Sequence, residues 1–206
     1  MSLSEKYDRL AEGFSEREYA EPELYAARRA QIFLDLGPRL GPGATVVDLG
    51  CGDGITAGPL LEAGLRYIGV DASPRMVEVA ARRHPGIELV VARQEEYEPA
   101  EPVDSTLCLR ALYLVDDHVA FLRRMAGYTK VKVVFDFSQV EHSIASIRDE
   151  CRAAGFSHIE FRAFFTPQRH ALPGVAHRLL ELLERTGPLA LLLTKRFGRV
   201  FCSASP

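Results

Sequence analysis

Long apolar runs, paired cysteines and a surplus of charge are all missing from this chain, and each absence closes a route. No stretch approaches the roughly 18 consecutive apolar residues that a membrane span needs. The opening Met1-Ser2-Leu3-Ser4-Glu5-Lys6 lacks the form of a secretory signal. Cys51, Cys108, Cys151 and Cys202 lie far apart with no C-x-x-C pair, which speaks against a zinc site or a disulfide framework. The 25 basic and 28 acidic residues leave a net charge of −3, and basic pairs such as Arg82-Arg83 and Lys195-Arg196 are scattered. Bulk electrostatics therefore do not suggest a nucleic-acid partner. A hydrophobic share of 47% excludes a disordered chain, and 206 residues bury a core without help from disulfides or metals. The expectation is one compact, reduced, cytoplasmic domain.

Periodicity then organises the chain. Residues 4–12 and Pro22 to Leu36 read as helices, the second stopped by Gly37-Pro38. From residue 44 short β-branched runs alternate with helical patterns. Strands are expected at Thr45–Val47, Tyr67–Val70, Ile87–Val91, Ser105–Leu109 and Val131–Phe137, then Ser157–Phe161 and Arg199–Ser203. Between them lie helices ending near Ala63 and running from Pro74 to Arg83, with Ser73 as the cap, and over 117–126 and 141–153. A later amphipathic helix is read over Gly174–Thr186, followed by the apolar run Leu189–Leu193. Pro59 fits the first of the sheet's helices only if that helix starts near Ile55 to Gly58. Such alternation predicts parallel strands joined by right-handed crossovers, a doubly wound α/β sheet.

One stretch carries chemistry: Val46-Val47-Asp48-Leu49-Gly50-Cys51-Gly52-Asp53-Gly54. A buried strand ends, an acid stands at its tip, and three alternating glycines turn the chain toward a helix. Glycine allows positive φ and lets a ligand approach bare main chain. The spacing is G-x-G-x-G; the dinucleotide fingerprint G-x-G-x-x-G would need glycine at Ile55. Asp71, seventeen residues beyond Gly54, ends the second strand, where a carboxylate accepts hydrogen bonds from ribose hydroxyls.

This stretch resembles motif I of the class I S-adenosylmethionine-dependent methyltransferases, and Tyr67-Ile68-Gly69-Val70-Asp71-Ala72-Ser73 resembles motif II. The likeness runs from about residue 44 to 137. It implies a seven-stranded Rossmann-like sheet, mostly parallel with an antiparallel last strand, N-terminal helices and a helical insertion before that strand. The implied layout is a helical cap over 1–42, a cofactor-binding core over 43–162, an insertion over 163–197 and the last strand over 198–206. The implied cofactor is S-adenosylmethionine, leaving as S-adenosylhomocysteine. Carried over by motif, Gly50, Gly52 and Gly54 would line the methionine moiety with Cys51 beside them. Asp48 would order the loop and the amino group, and Asp71 with Ala72 would hold the ribose. Met76 would pack on the adenine, although it also reads as an ordinary core methionine. Leu109 and Arg110 would flank the methionine portion. The family often places an acid after the third strand; here Arg93 stands there, so Gln94 or Glu95 would supply the adenine contact.

Outside the motifs, Tyr7, Tyr19, Tyr25 and Arg29 precede the sheet, where similar enzymes cover the cofactor. Arg29, on an apolar stripe, would pair with a cofactor carboxylate or else send its head into water. His142 is a candidate general base, Tyr113 a further candidate, and His118 and His170 lesser ones. The reading is in-line methyl transfer to a small-molecule acceptor, with no metal and no nucleic-acid or membrane partner. Two other readings stay open. One is a nicotinamide-dependent oxidoreductase; the other is a non-catalytic cofactor-binding protein whose leucine-rich 175–193 region meets a partner.

Overall fold

The computed structural model describes residues 3–206; Met1 and Ser2, part of the opening read above, lie outside them. Three helices come first: α1 (Leu3–Leu10), α2 (Phe14–Glu18) and α3 (Pro22–Asp35). The sheet follows as β1 (Thr45–Leu49), α4 (Ala57–Glu62), β2 (Arg66–Asp71), α5 (Pro74–Arg83), β3 (Glu88–Val91) and β4 (Val103–Cys108). It continues through α6 (His118–Tyr128), β5 (Thr129–Phe137), α7 (Ile144–Ala153), β6 (His158–Phe164), α8 (Gly174–Glu184), α9 (Pro188–Leu193) and β7 (Arg199–Ser205). Strand order is β3-β2-β1-β4-β5-β7-β6, with β1 to β5 parallel and β7 antiparallel to both neighbours. The chain leaves β1 toward β2 on one side and returns to β4 on the other. That reversal opens a crevice at the strand tips.

Alternation along each strand sends side chains to opposite faces, and the core divides accordingly. Val46, Leu107, Val134 and Phe201 pack with α3 and α4, whereas Val47, Val133, Phe135 and Cys202 pack with α6 and α7. Val46, Val47 and Leu49 are fully buried, which explains a strand with no polar alternation before Asp48. Lys132 is buried on the α3 side, where its ammonium donates to the carbonyls of Phe33 (2.6 Å) and Leu36 (2.7 Å) and so satisfies orphan acceptors at the end of α3.

Several expected boundaries move. The first helix ends at Leu10, and a separate turn of helix, Phe14–Glu18, follows Gly13 at φ 63°, a break that periodicity did not signal. Pro59 is tolerated because α4 starts at Ala57, leaving the proline in the first turn, where no amide is needed. The helix expected from 141 starts at Ile144, its Ser143 side chain accepting from the Ser146 amide at 3.0 Å. β6 extends to Phe164 because it pairs with β7 along its whole length. Among the described residues no helix is long and apolar enough to cross a membrane.

Candidate functional site

The turn after β1 is pinned before anything binds it. The amides of Gly50 and Cys51 both donate to the Val70 carbonyl, at 2.8 and 3.0 Å, so the loop is tied to the tip of β2. Gly50 and Gly52 take φ of 75° and 58°, a region that side chains rarely enter. A Cβ on Gly50 would sit 2.8 Å from the Ala111 Cβ; one on Gly52 would meet nothing within 4 Å. Gly52 therefore presents bare main chain to open space. That space is a cavity of about 520 Å³ across the tips of β1, β2 and β4.

Three charged side chains define its chemistry. Asp71 accepts from the Gly52 amide (2.8 Å) through one oxygen and from the Ser73 amide (2.9 Å) through the other, which leaves each oxygen a free lone pair. Asp48 is buried and accepts from the Tyr67 hydroxyl at 2.7 Å. Burial pushes its carboxyl up to about 7, with the Asp71 charge adding to the rise and the Tyr67 bond and Arg29 charge opposing it. Arg29 is 4% exposed; its Nη2 donates to Thr56 Oγ1 at 3.0 Å, but its Nε has no partner. The guanidinium lies over the rings of Tyr19 and Tyr25, 5.5 and 5.0 Å from their centroids. An unpartnered buried N–H beside a cavity is costly unless a ligand completes it.

The first two helices form the roof. Ser4 donates to the Ala72 carbonyl, and Asp8 accepts from the Ser73 hydroxyl and the Arg75 amide. Ser15 donates to Asp53 from both its amide (3.2 Å) and its hydroxyl (2.8 Å), and Arg83 pairs with the same carboxylate at 3.0 Å. Tyr7 and Tyr113 meet hydroxyl to hydroxyl at 3.0 Å. Burial and that bond raise the Tyr7 hydroxyl well above its ordinary range. On the opposite rim Arg110 holds a positive φ of 58°, fixed by its amide donating to Asp136 at 2.6 Å. Its Nη1 donates to Gln168 Oε1, also at 2.6 Å.

The cavity wall includes Asp48, Gly50, Cys51, Gly52, Asp71, Ala72, Met76, Gln94, Glu95, Leu109 and Arg110, together with Arg29, Tyr19 and Tyr113. Gly54, His142, Tyr25 and the lesser candidates His118 and His170 fall outside this wall. Gly54 does not line the cavity; a Cβ there would lie 2.9 Å from the Ala80 Cβ, so its role is to let α5 approach the turn. His142 is likewise outside, its ring edge-on to His118 with centroids 4.9 Å apart, while His118 Nδ1 lies 3.0 Å from Glu150 Oε2. The ligating atoms of His118, His142 and Glu150 fall within 4.8 Å of one another, a polar clasp between α6 and α7. Tyr25 stacks beneath Tyr19 at 4.5 Å without reaching the wall. Sequence reasoning missed Ser15, Asp53, Thr56 and Gln168. The one local signal was the acid within G-C-G-D-G, and no spacing rule links it to Ser15.

Residues 46–132 match a family model described as a methyltransferase domain. Trans-aconitate 2-methyltransferase of Azoarcus is 35% identical over 110 residues, 52% of this chain and 44% of that protein. Its counterpart in Enterobacter is 29% identical over 171 residues, 79% of this chain and 64% of that one. A ubiquinone biosynthesis O-methyltransferase of Bradyrhizobium diazoefficiens is 34% identical over 92 residues, 43% and 36% respectively. The chain thus spans less than two thirds of each of these relatives. Among solved structures, a chain of the Haloferax volcanii complex between the Trm112 methyltransferase activator and a methyltransferase superposes with TM-score 0.71 at 21% identity, covering 99% of both chains. Magnesium protoporphyrin IX methyltransferase of Synechocystis with bound SAM gives 0.60 at 19% identity, covering all of this chain and 85% of that one. At such identities the likeness is one of fold.

Proposed function

We propose that the chain is a class I S-adenosylmethionine-dependent methyltransferase and that it methylates a small, negatively charged acceptor by in-line displacement. The observation that carries the reading is the bare Gly52 main chain on a cavity wall shared with Asp71 and with Arg29, whose Nε has no partner. When bound, S-adenosylmethionine supplies a methyl carbon on a cationic sulfur that departs as a neutral thioether.

Each wall residue then has a task. Asp71 uses its two remaining lone pairs for the ribose hydroxyls. Gln94 donates its amide to the Ala111 carbonyl at 3.0 Å, leaving Oε1 to accept from the adenine amino group. Met76, 1% exposed, supplies a polarizable surface for the base. Arg29 completes its fork on the cofactor carboxylate, and ionised Asp48 receives the ammonium. Arg110 and Gln168 orient the acceptor. No described carboxylate pairs with the Arg110 guanidinium, which suits it to an anionic group. Among the described residues no histidine lines the cavity, and Tyr7 stays protonated at neutral pH. An acceptor that arrives ionised needs no general base. The rate gain then comes from alignment, an effect worth roughly 7–11 kcal/mol in favourable cases. The names of the trans-aconitate relatives point to the same kind of acceptor.

Calorimetry with S-adenosylhomocysteine tests the site. Binding is expected for the wild type, with Asp71→Ala and Arg29→Met each weakening it by about tenfold or more, the worth of one hydrogen bond to a charged group. Unchanged dissociation constants would remove both assignments. Transfer of labelled methyl to a panel of small carboxylates, reduced about tenfold or more by Arg110→Met, tests the acceptor class. Turnover of neutral amines alone would overturn that part.

A further inference from the structure

Helix α8 is built inside out. Its buried side carries His177 and Glu184, while Val175, Leu179 and Leu182, spaced to share one stripe, face outward. Polar partners account for the inward face. His177 Nε2 lies 3.1 Å from Glu21 Oε2, and Glu184 accepts from the Phe165 amide at 2.8 Å and pairs with Arg28 at 2.6 Å. The next helix continues the pattern, burying Ala190 and exposing Leu189 and Leu192, with exposed Phe197 just beyond. These six apolar side chains are 52–71% exposed, and they are six of the nine large hydrophobics exposed among the described residues. The unit still has a core of its own, in which Leu180, Leu183, Leu191 and Leu193 pack on Ala163, Phe165 and Ala190. So many leucines turned to solvent on one small unit mark an interaction face.

Charge identifies what the face meets. The exposed ionisable side chains between 174 and 198 are Arg178, Arg185, Lys195 and Arg196, all cationic. The acids of the segment, Glu181 and Glu184, are drawn to Arg28 on α3. In a chain of net charge −3 this is a local concentration of positive charge beside leucine. We propose that the α8–α9 face docks on an anionic lipid bilayer, its apolar side chains entering the headgroup boundary and its cations meeting lipid phosphates. The composition of the whole chain concealed this, because the acids that balance these cations lie elsewhere. A second copy is a poorer occupant, since a twofold contact would set four cations against four.

Co-sedimentation of the full chain with vesicles tests the proposal. Vesicles of phosphatidylglycerol and phosphatidylcholine are expected to pellet the protein, and phosphatidylcholine alone to pellet little of it. Rising salt should release it. Arg178→Ala and Lys195→Ala should weaken binding by roughly fivefold each. The triple variant Leu179→Ser, Leu189→Ser, Leu192→Ser should abolish pelleting yet bind S-adenosylhomocysteine with unchanged affinity, which verifies its fold. The proposal is overturned if anionic vesicles fail to pellet the wild type or pellet the triple variant equally. It is also overturned if light scattering finds a dimer that the same substitutions dissolve. Cofactor affinity is read without lipid, so failure here leaves the methyltransferase reading intact, and the converse holds.

Discussion

Asp48 combines two demands that conflict in the free protein. Burial holds its carboxyl at about 7, far above an ordinary aspartate, so between about pH 4 and 7 the folded state keeps a proton that the unfolded chain has released. Stability therefore falls as pH rises through that window. At pH 8 the ionised group costs on the order of 2–4 kcal/mol. Asp48→Asn is expected to stabilise the free protein at pH 8 by a few kcal/mol in urea unfolding, and to leave stability at pH 5 nearly unchanged. Binding should move the other way. The proposed contact with a cofactor ammonium needs the carboxylate, so S-adenosylhomocysteine affinity should increase between pH 6 and 8 in the wild type and stay flat in Asp48→Asn. A wild-type affinity independent of pH would remove Asp48 from the cofactor contacts.

At the scale of the element, the turn from β1 to α4 contains glycines with different work. Gly52 faces open space at φ 58°, so Gly52→Ala should cost about 1–2 kcal/mol in backbone strain, leave a folded protein and obstruct ligand approach. Gly54 shares the positive φ but abuts α5, where a Cβ would also come within 3.3 Å of the Ala80 Cα. Gly54→Ala should add about 1–3 kcal/mol of overpacking to the same strain. Denaturant unfolding with calorimetry on both variants checks the contrast: Gly52→Ala loses binding more than stability, and Gly54→Ala the reverse. The opposite rim is held by an equivalent economy of contacts. Asp136 receives the Arg110 amide and pairs with Arg199 on β7, so the antiparallel last strand braces a residue at the tip of β4.

Across the whole molecule, the roof and the rim are two segments distant in sequence. The N-terminal segment is tied to the start of α5 by Asp8 and Glu12 and to the turn after β1 by Ser15, which donates to Asp53. It reaches the stretch after β6 through Glu18, which pairs with Arg169 at 3.1 Å, and Ala20, whose amide donates to the Gln168 carbonyl at 2.9 Å. Most of these ties are exposed ion pairs or single hydrogen bonds, each of small worth. Such a roof opens more readily than the sheet. Saturating S-adenosylhomocysteine is expected to slow amide exchange over 4–18 and 166–172 by at least about tenfold, within the roughly 100-fold limit set by ligand at 100 times its dissociation constant. Exchange in α7, remote from the cavity, should not change. Unchanged exchange over 4–18 and 166–172, or a slowing no greater than that in α7, would mean that the site does not act on the roof specifically.

Residue order alone determined the alternation of strands and helices, the glycine turn and the acids at the tips of β1 and β2. Those features are local: a period, a cap or a φ that only glycine adopts easily. It likewise marked Arg29 as an anomaly, a cation on an apolar stripe. Only tertiary structure decided that Arg29 ends beside the cavity with an unpartnered N–H, that His142 packs against His118 outside the cavity, and that Gly54 serves packing. The contributions of Ser15, Thr56 and Gln168 arise from contacts between segments tens of residues apart, and no spacing encodes such a contact. The outward leucines of α8 teach the same lesson from the other side. Helical period identifies an apolar stripe, but which way the stripe faces depends on the partners that His177 and Glu184 find once the chain has closed.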